Sequence, residues 1–251
     1  VHVGIDLGTS GLKAVAVDAV GTVVARASRT YPTARPSAGA AEQDPADWIV
    51  ALVDAVTQIG AVVPPATWTG VSLSAMLPTL VCLDDDNHVV GPALTWEDSR
   101  AESWGNQLRQ AVGEAWLYER TGQHVDGRYL LPMWARINEL EPQRASRIAR
   151  ICGAKDYIYF VLTGELLTDP STAAGFGCYD LRDDAWLPHV QSAIGGRHEL
   201  PTIRPSAHRG VVSAAGERAT GVPAGLPVVL GAADSVLGAL GMLICGAWVY
   251  K

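Results

Sequence analysis

Through the first thirty positions apolar residues alternate with polar ones or run in short blocks; after that the period changes. VHVGIDLG (1–8) reads as a strand, LKAVAVDA (12–19) alternates, and TVVARASRTYP (22–32) follows a turn at Gly21. Three strands with such short connections predict an antiparallel meander. Residues 32–41, rich in Pro, Ala, Gly and Ser, read as a loop. In AEQDPADWIVALVDAVTQIG (41–60) the spacing turns helical, with Trp48, Leu52, Val56 and Ile59 on one face. Asp44 is placed to cap that helix, Pro45 suits its first position and Gly60 its end. TGVSLSAM (69–76) and TLVCLDDDNHVV (79–90) read as strands, the second with a polar turn near 85–87. From Asp98 to Leu162 the pattern is mainly helical. TDPSTAAG (168–175) then reads as loop, CYDL (178–181) as a short strand and DAWLPHVQSAIG (184–195) as a helix. The block from Gly210 to Gly241 reads as loop, short helix, turn, buried strand and helix start.

An antiparallel start followed by helix-linked strands predicts an α/β fold with a mixed sheet and flanking helices, of the ribonuclease-H-like kind. Periodicity alone leaves a doubly wound parallel sheet as the alternative. With 251 residues, 48% of them hydrophobic and 18% charged, the chain can fill a core and is not expected to be disordered. A net charge of −7 argues against nucleic acid as a partner, because phosphates require a basic face. No run of 18 apolar residues predicts a membrane span, and no basic, then apolar, leader precedes the first strand. Cys82, Cys152, Cys178 and Cys245 are scattered without a CxxC pair, as expected of buried thiols in a reducing cytoplasm.

Three stretches carry candidate chemistry. GIDLGTSGLKAVAVD (4–18) ends a strand in Asp6, turns through Gly8, Thr9, Ser10 and Gly11, and returns with Lys13. Glycines that reach φ > 0 let backbone N–H groups approach an anion, hydroxyls add donors, and Asp6 can hold hydrated Mg²⁺. An ordinary hairpin with one solvated carboxylate is the plain alternative. PVVLGAADSVLGALG (227–241) runs a buried strand, 227–230, through small residues to Asp234 and a helix. A carboxylate at that strand end can take a proton from a hydroxyl, or simply cap the helix. In LTWEDSR (94–100), Trp96 can stack on a sugar ring and Asp98 and Arg100 can bond its hydroxyls. A salt bridge beside a core tryptophan is the alternative, and Glu97 is expected to point outward.

Together these stretches resemble the FGGY carbohydrate kinases, the family of xylulose, gluconate, ribulose and glycerol kinases. GIDLGTSGLK resembles the family's phosphate hairpin, and AEQDPADW its EQDP…W segment. GVSLSAM…LVCLD followed by LTWEDSR resembles its sugar region, CGAKDYIYFVLTGELLTDPSTAAGFGCYDL its KDY…LTGE…TD stretch, and GVPAGLPVVLGAADSVLGALG the segment of its catalytic base. Order and spacing agree from residue 1 to about 241.

The resemblance implies the actin/hexokinase superfamily fold and an ATP-dependent, Mg²⁺-assisted phosphorylation of a terminal sugar hydroxyl. D-xylulose going to D-xylulose 5-phosphate is the expected reaction. It implies Asp234 as general base and Asp6 as the acid near Mg²⁺, through water. It places ATP phosphates at Gly8, Thr9, Ser10, Gly11 and Lys13, and sugar at Met76, Leu77, Trp96, Asp98, Arg100, Asp234 and Ser235. Residues 1–241 are then the sugar-binding lobe and 242–251 the junction to an ATP-binding lobe. An isolated first lobe would expose an apolar inter-lobe face, so a homodimer is among the expected partners; nucleic acid and membrane are not.

The sequence departs from the family pattern in places. Ala75-Met76-Leu77-Pro78 lacks the histidine usual after SLS, Met133 and Arg136 stand where Lys and Trp are usual, and Ser235 replaces Asn or Gln. GMLICGAWVYK (241–251) does not match the family's continuation. Gluconate or another ketose or polyol is the rival substrate; Arg128 or Arg136 would face a gluconate carboxylate. A non-catalytic sugar-binding or regulatory lobe is the reading of a different class.

Overall fold

A computed structural model describes residues 1–195 and 198–245 of the chain. Its first three strands are β1 (His2–Leu7), β2 (Gly11–Val17) and β3 (Val23–Thr30), paired antiparallel as the alternation predicts. β4 (Glu42–Gln43) precedes helix α1 (Pro45–Val62). Asp44 caps that helix, its Oδ1 accepting from the N–H of Ala46 at 2.9 Å. α1 runs past Gly60, however. It ends where Val63, in extended conformation, precedes Pro64, and proline can neither donate to the helix nor tolerate a helical residue before it.

β5 (Gly70–Ala75) lies parallel to β1. A long excursion follows: β6 (Thr79–Leu83), β7 (Ala93–Thr95), α2 (Glu102–Val112), α3 (Glu114–Thr121), α4 (Leu130–Leu140), α5 (Pro142–Ala145) and β8 (Arg150–Cys152). The chain then forms α6 (Ala154–Thr163), β9 (Leu167–Thr168), α7 (Pro170–Ala173), β10 (Tyr179–Asp180), β11 (Ala185–Trp186) and α8 (Pro188–Ala193). The segment expected as one helix over 184–195 is thus a short strand and a helix. Pro188 opens α8, while Trp186 pairs across to Tyr179. β12 (Thr202–Ile203), β13 (Arg209–Val211), α9 (Ala214–Thr220), β14 (Pro227–Ala233) and α10 (Asp234–Cys245) complete the described chain.

The main sheet has the order β13-β14-β5-β1-β2-β3, with β1, β5 and β14 parallel and the other strands antiparallel to their neighbours. This mixed order is the ribonuclease-H-like arrangement expected from the strand pattern, not the doubly wound alternative. A second sheet, β4-β7-β6-β8, anchors the excursion.

Period-2 patterning decides the two faces of the main sheet. Val3, Ile5, Leu7, Leu12, Ala14 and Ala16 point to one face and are buried with Trp48, Leu52 and Ile59 of α1 and Ile158 and Leu162 of α6. Each of the valine, leucine and isoleucine side chains contributes about 1.5–3 kcal/mol by leaving water. The 18 residues of α1 are apolar enough to match a membrane span in composition, but its apolar stripe is spent on this core. On the opposite face Gly4, Asp6, Lys13, Val15, Ser72 and Ser74 stay open, with Leu237 of α10 at one side, around a groove of about 370 Å³. A second apolar cluster, including Leu108, Leu131, Ile137 and Phe176, fills the excursion. Cys82, Cys152 and Cys178 are buried free thiols, and burial pushes Cys82 up to about 12; the side chain of Cys245 lies outside the described residues.

Candidate active site at the strand ends

Three parallel strands stop at one level. Leu7 pairs with Ala75 and Ala75 with Ala233, so Gly8, Met76 and Asp234 leave the sheet side by side. Strands sit ~4.8 Å apart, which puts Asp234 and Gly8 roughly 10 Å from each other across β5. The carboxyl ends of parallel strands are where α/β sheets receive ligands.

The hairpin closes tightly, with the N–H of Gly8 donating to the carbonyl of Gly11 at 3.1 Å. Neither glycine has a positive φ, contrary to the expectation from sequence. Gly11 is required for space instead: a Cβ there would lie 2.6 Å from the carbonyl oxygen of Arg29 on β3. Three side chains from distant segments fix the tip. The Tyr31 hydroxyl donates to the carbonyl of Gly8, and Gln43 Nε2 donates to the carbonyl of Thr9 at 2.7 Å. Trp96 Nε1 donates to Thr9 Oγ1 at 2.8 Å, which leaves the threonine its own proton to offer. Burial, and then the nearby Asp6 carboxylate, push the Tyr31 phenol far up, so it remains a donor. Ser10 is exposed at the tip.

Asp6 and Lys13 are register partners on β1 and β2 and share the open face. Asp6 Oδ1 accepts from the Ser74 hydroxyl at 2.8 Å, and its other oxygen takes no hydrogen bond from the described residues. That geometry fits water-mediated Mg²⁺. Among the described residues no group of three or more His, Cys, Asp or Glu could cage a metal, and Mg²⁺ needs no cage when phosphates supply its ligands.

Asp234 is exposed at the first turn of α10, where it accepts from the N–H of Ser235 at 2.6 Å; Ser235 is exposed beside it. β14 carries a bulge between Val229 and Ala232 just before this point. Gly231 makes the bulge feasible: its φ is +73° and a Cβ would overlap the carbonyl oxygen of Leu73.

The sugar-facing expectations divide. Trp96 is 39% exposed, with its indole tied to the hairpin as above. Asp98 is turned inward. It is 1% exposed and accepts from the N–H of Ala41 at 3.0 Å and from Arg100 Nη2 at 2.6 Å. Arg100 also pairs with Glu42 at 2.6 Å, and these two carboxylates outweigh burial to hold the guanidinium charged. Asp98 and Arg100 therefore brace the loop that presents Trp96. The alternative weighed from sequence is inverted, with the ion pair buried and the tryptophan at the surface. Met76 is 3% exposed, its side chain part of the main core rather than the cleft: β5 ends at Ala75, so the alternation that would set residue 76 on the open face with Ser72 and Ser74 no longer governs it. Leu77 is half-buried against Gly175. Glu97 is half-exposed and paired with Arg35 at 2.9 Å.

Sequence reading missed Tyr31, Gln43 and Ser74, which act through the hairpin and Asp6. It also missed a buried ion cluster. Lys155 Nζ lies 3.3 Å from Asp156 Oδ1 and 3.2 Å from Asp169 Oδ1, all three side chains being 1% exposed or less. The only sequence signal was two acids and a lysine in otherwise apolar surroundings.

Comparison with known proteins bears on this geometry. The profile of the FGGY family of carbohydrate kinases, N-terminal domain, matches residues 1–241. A xylulose kinase of Lactococcus lactis subsp. lactis (strain IL1403) is 33% identical over 243 residues, covering 95% of this chain and 48% of that protein. A gluconokinase of Bacillus subtilis (strain 168) is 28% identical, covering 95% of this chain and 47% of its own length. The crystal structure of xylulose kinase from Rhodospirillum rubrum superposes with a TM-score of 0.90 at 32% identity, over 95% of this chain and 50% of that one. The chain thus spans about half the length of the curated relatives it matches.

Proposed function

The chain belongs to the FGGY family of carbohydrate kinases, with their actin/hexokinase-like fold, and from that membership we propose that it is the sugar-binding lobe of an ATP-dependent sugar kinase. The proposed reaction transfers the γ-phosphoryl group to a terminal hydroxyl of a neutral ketose, D-xylulose first. One observation carries the reading: the hairpin, the Asp6 groove and Asp234 come to one end of the sheet, on the parallel strands β1 and β14 that flank β5.

In this reading Asp234, exposed and without an ion pair among the described residues, takes the proton of the attacking hydroxyl. The N–H groups and hydroxyls of Thr9 and Ser10 at the tip would orient the phosphates, with Lys13 adding positive charge from the open face. Asp6 would hold Mg²⁺ through water, and the ion would neutralise charge on the transferring phosphate. Trp96 offers its exposed ring to the sugar. The exposed apolar residues Val236, Leu240 and Met242 of α10 suit cover by an ATP-binding lobe, which would exclude water from the transfer.

The charged neighbourhood favours a neutral sugar over gluconate. Arg128 is held by Asp126, with its Nη2 at 2.6 Å, and Arg136 by Glu141 at 2.9 Å. Each of these cations is already paired with an acid of the lobe, which lessens its pull on a substrate carboxylate.

The test is ADP release from Mg-ATP across D-xylulose, L-xylulose, D-ribulose, gluconate and glycerol, using the chain at the full length its gene encodes. Turnover with one ketose, reduced about 10²- to 10⁴-fold in Asp234→Ala, is expected for loss of a general base. Turnover unchanged by Asp234→Ala would overturn the assignment.

A further inference from the structure

The carboxylate proposed as the base is carried by a strand end that does not hold itself. β14 resumes its pairing with β5 after the bulge but has no β13 partner beyond Val229, so the N–H groups of Gly231 and Ala233 find partners elsewhere. Both do so through one region. The N–H of Ala233, the residue before Asp234, donates to Ser171 Oγ at 2.9 Å. The N–H of Gly231, at the centre of the bulge, donates to the carbonyl of Ser206 at 2.9 Å.

Both serines end on the same buried carboxylate. Ser171 Oγ donates to Asp169 Oδ2 at 2.5 Å, and Ser206 Oγ donates to that oxygen at 3.0 Å. The N–H of Ser171 donates there as well, at 3.0 Å, capping α7. Asp169 Oδ1 accepts from Thr172 Oγ1 at 2.7 Å and faces Lys155 Nζ at 3.2 Å. Every contact on Asp169 thus comes from a donor, which an ionised carboxylate satisfies and an amide does not. Burial works against that charge, yet Lys155 and the hydroxyls of Ser171 and Thr172 hold the carboxyl below the ordinary range.

The polarity of the chain is fixed from end to end. Ser171 has one proton, and Asp169 takes it, so the serine oxygen can only accept from Ala233. Rotating the hydroxyl away gives up a charge-assisted bond to the buried carboxylate, and the oxygen no longer faces Ala233 with its lone pairs. Holding a reacting group in place is worth much in rate, since a displacement of about 1 Å costs on the order of 10²-fold.

We infer that Asp169, acting through Ser171 and Ser206, is a positioning residue that fixes the bulged end of β14 and so sets where the Asp234 carboxylate meets the substrate hydroxyl. This rests on the proposed role of Asp234, to which it adds the device that aims it. Lys155 is the counter-ion that keeps Asp169 charged, and Asp156 orients the start of α6 by accepting from the N–H of Gly153 at 3.0 Å.

Ser171→Ala is the informative variant, because it removes the link to Ala233 and leaves the Lys155–Asp169 pair intact. With the chain at the full length its gene encodes, kcat is expected to fall about 10- to 100-fold. The sugar KM should stay within about twofold, because Ser171 touches no part of the proposed sugar site, and Ser171→Thr, which keeps the hydroxyl, should recover most of the rate. Amide hydrogen exchange supplies a readout independent of turnover: Ala233 and its neighbours lose protection in Ser171→Ala while Val71 to Leu73 of β5 do not. A kcat within twofold of wild type, or a loss matched by a rise in KM and not restored by Thr, would overturn the inference. If the wild type phosphorylates no sugar, the proposed function fails, and exchange at Ala233 decides this inference alone: unchanged protection there refutes it.

Discussion

The two strand ends that bear the proposed chemistry are fixed by opposite means. At the end of β1, the hairpin is held by three uncharged donors, Tyr31, Gln43 and Trp96, reaching in from separate and partly exposed segments. At the end of β14, Asp234 is held through a buried carboxylate that in turn needs a buried lysine. Neutral bonds of the first kind contribute about 0.5–1.5 kcal/mol each and can be lost one at a time. A buried ion pair stabilises little on net, but removing one member leaves an uncompensated charge. The bonds at the hairpin can therefore be lost singly, whereas the support proposed for Asp234 fails as a unit.

The contrast is sharpest at Lys155. Lys155→Met leaves Asp156 and Asp169 buried together without a cation and is expected to cost about 3–5 kcal/mol. In a protein of this size that lowers the thermal midpoint by roughly 10 °C. Calorimetry checks it, and an unchanged midpoint would erase the distinction between the two ends.

Acid provides a second, smaller break. Asp169 lies below its ordinary range, so its contribution is complete above the unfolded value of about 3.9 and is lost as pH falls through the folded one. Asp156 has the opposite sign. Burial pushes its carboxyl up despite Lys155, so its penalty grows as pH rises from about 4 through the folded value. At neutral pH Asp169→Asn should therefore destabilise clearly, while Asp156→Asn, still able to accept from Gly153, should be near neutral. Below about pH 4 the gap between Asp169→Asn and wild type should close. Urea titrations between pH 3 and 8 read both. The hairpin contacts of Tyr31, Gln43 and Trp96 should not respond in this window.

The smallest effect belongs to the neutral end. Trp96→Phe keeps an aromatic face for sugar but deletes the bond to Thr9 Oγ1, worth about 1 kcal/mol. A rise of about fivefold in the KM for ATP, with the sugar KM little changed, is expected from steady-state kinetics. A larger change in the sugar KM would show that Trp96 serves the sugar alone.

The two ends also differed in how far they could be read from the chain. The hairpin is local: Asp6, Gly8, Thr9, Ser10, Gly11 and Lys13 lie in eight consecutive positions, and period-2 alternation places Asp6 and Lys13 on one face. Asp234 was legible for the same reason, a strand running into small residues and a helix start. Its support was not, because Lys155, Asp169, Ser206 and Ala233 meet only after four elements have packed. Asp98 misled for a related reason. A short polar motif beside a tryptophan gives no sign that the backbone of Ala41 will fold over the carboxylate. Met76 shares the parity of the groove-facing Ser72 and Ser74, but β5 ends at Ala75 and the side chain of Met76 joins the core instead. Gly60 showed that a weak helix breaker yields to a proline pair a few residues later.

The account rests most directly on transfer to a sugar rather than to water. Phosphorus NMR of the full gene product incubated with Mg-ATP and D-xylulose tests it in one spectrum. The account predicts a new phosphomonoester resonance coupled to a CH₂ group, absent in Asp234→Ala. Inorganic phosphate and ADP without any ester, or the ester formed equally by Asp234→Ala, would contradict it.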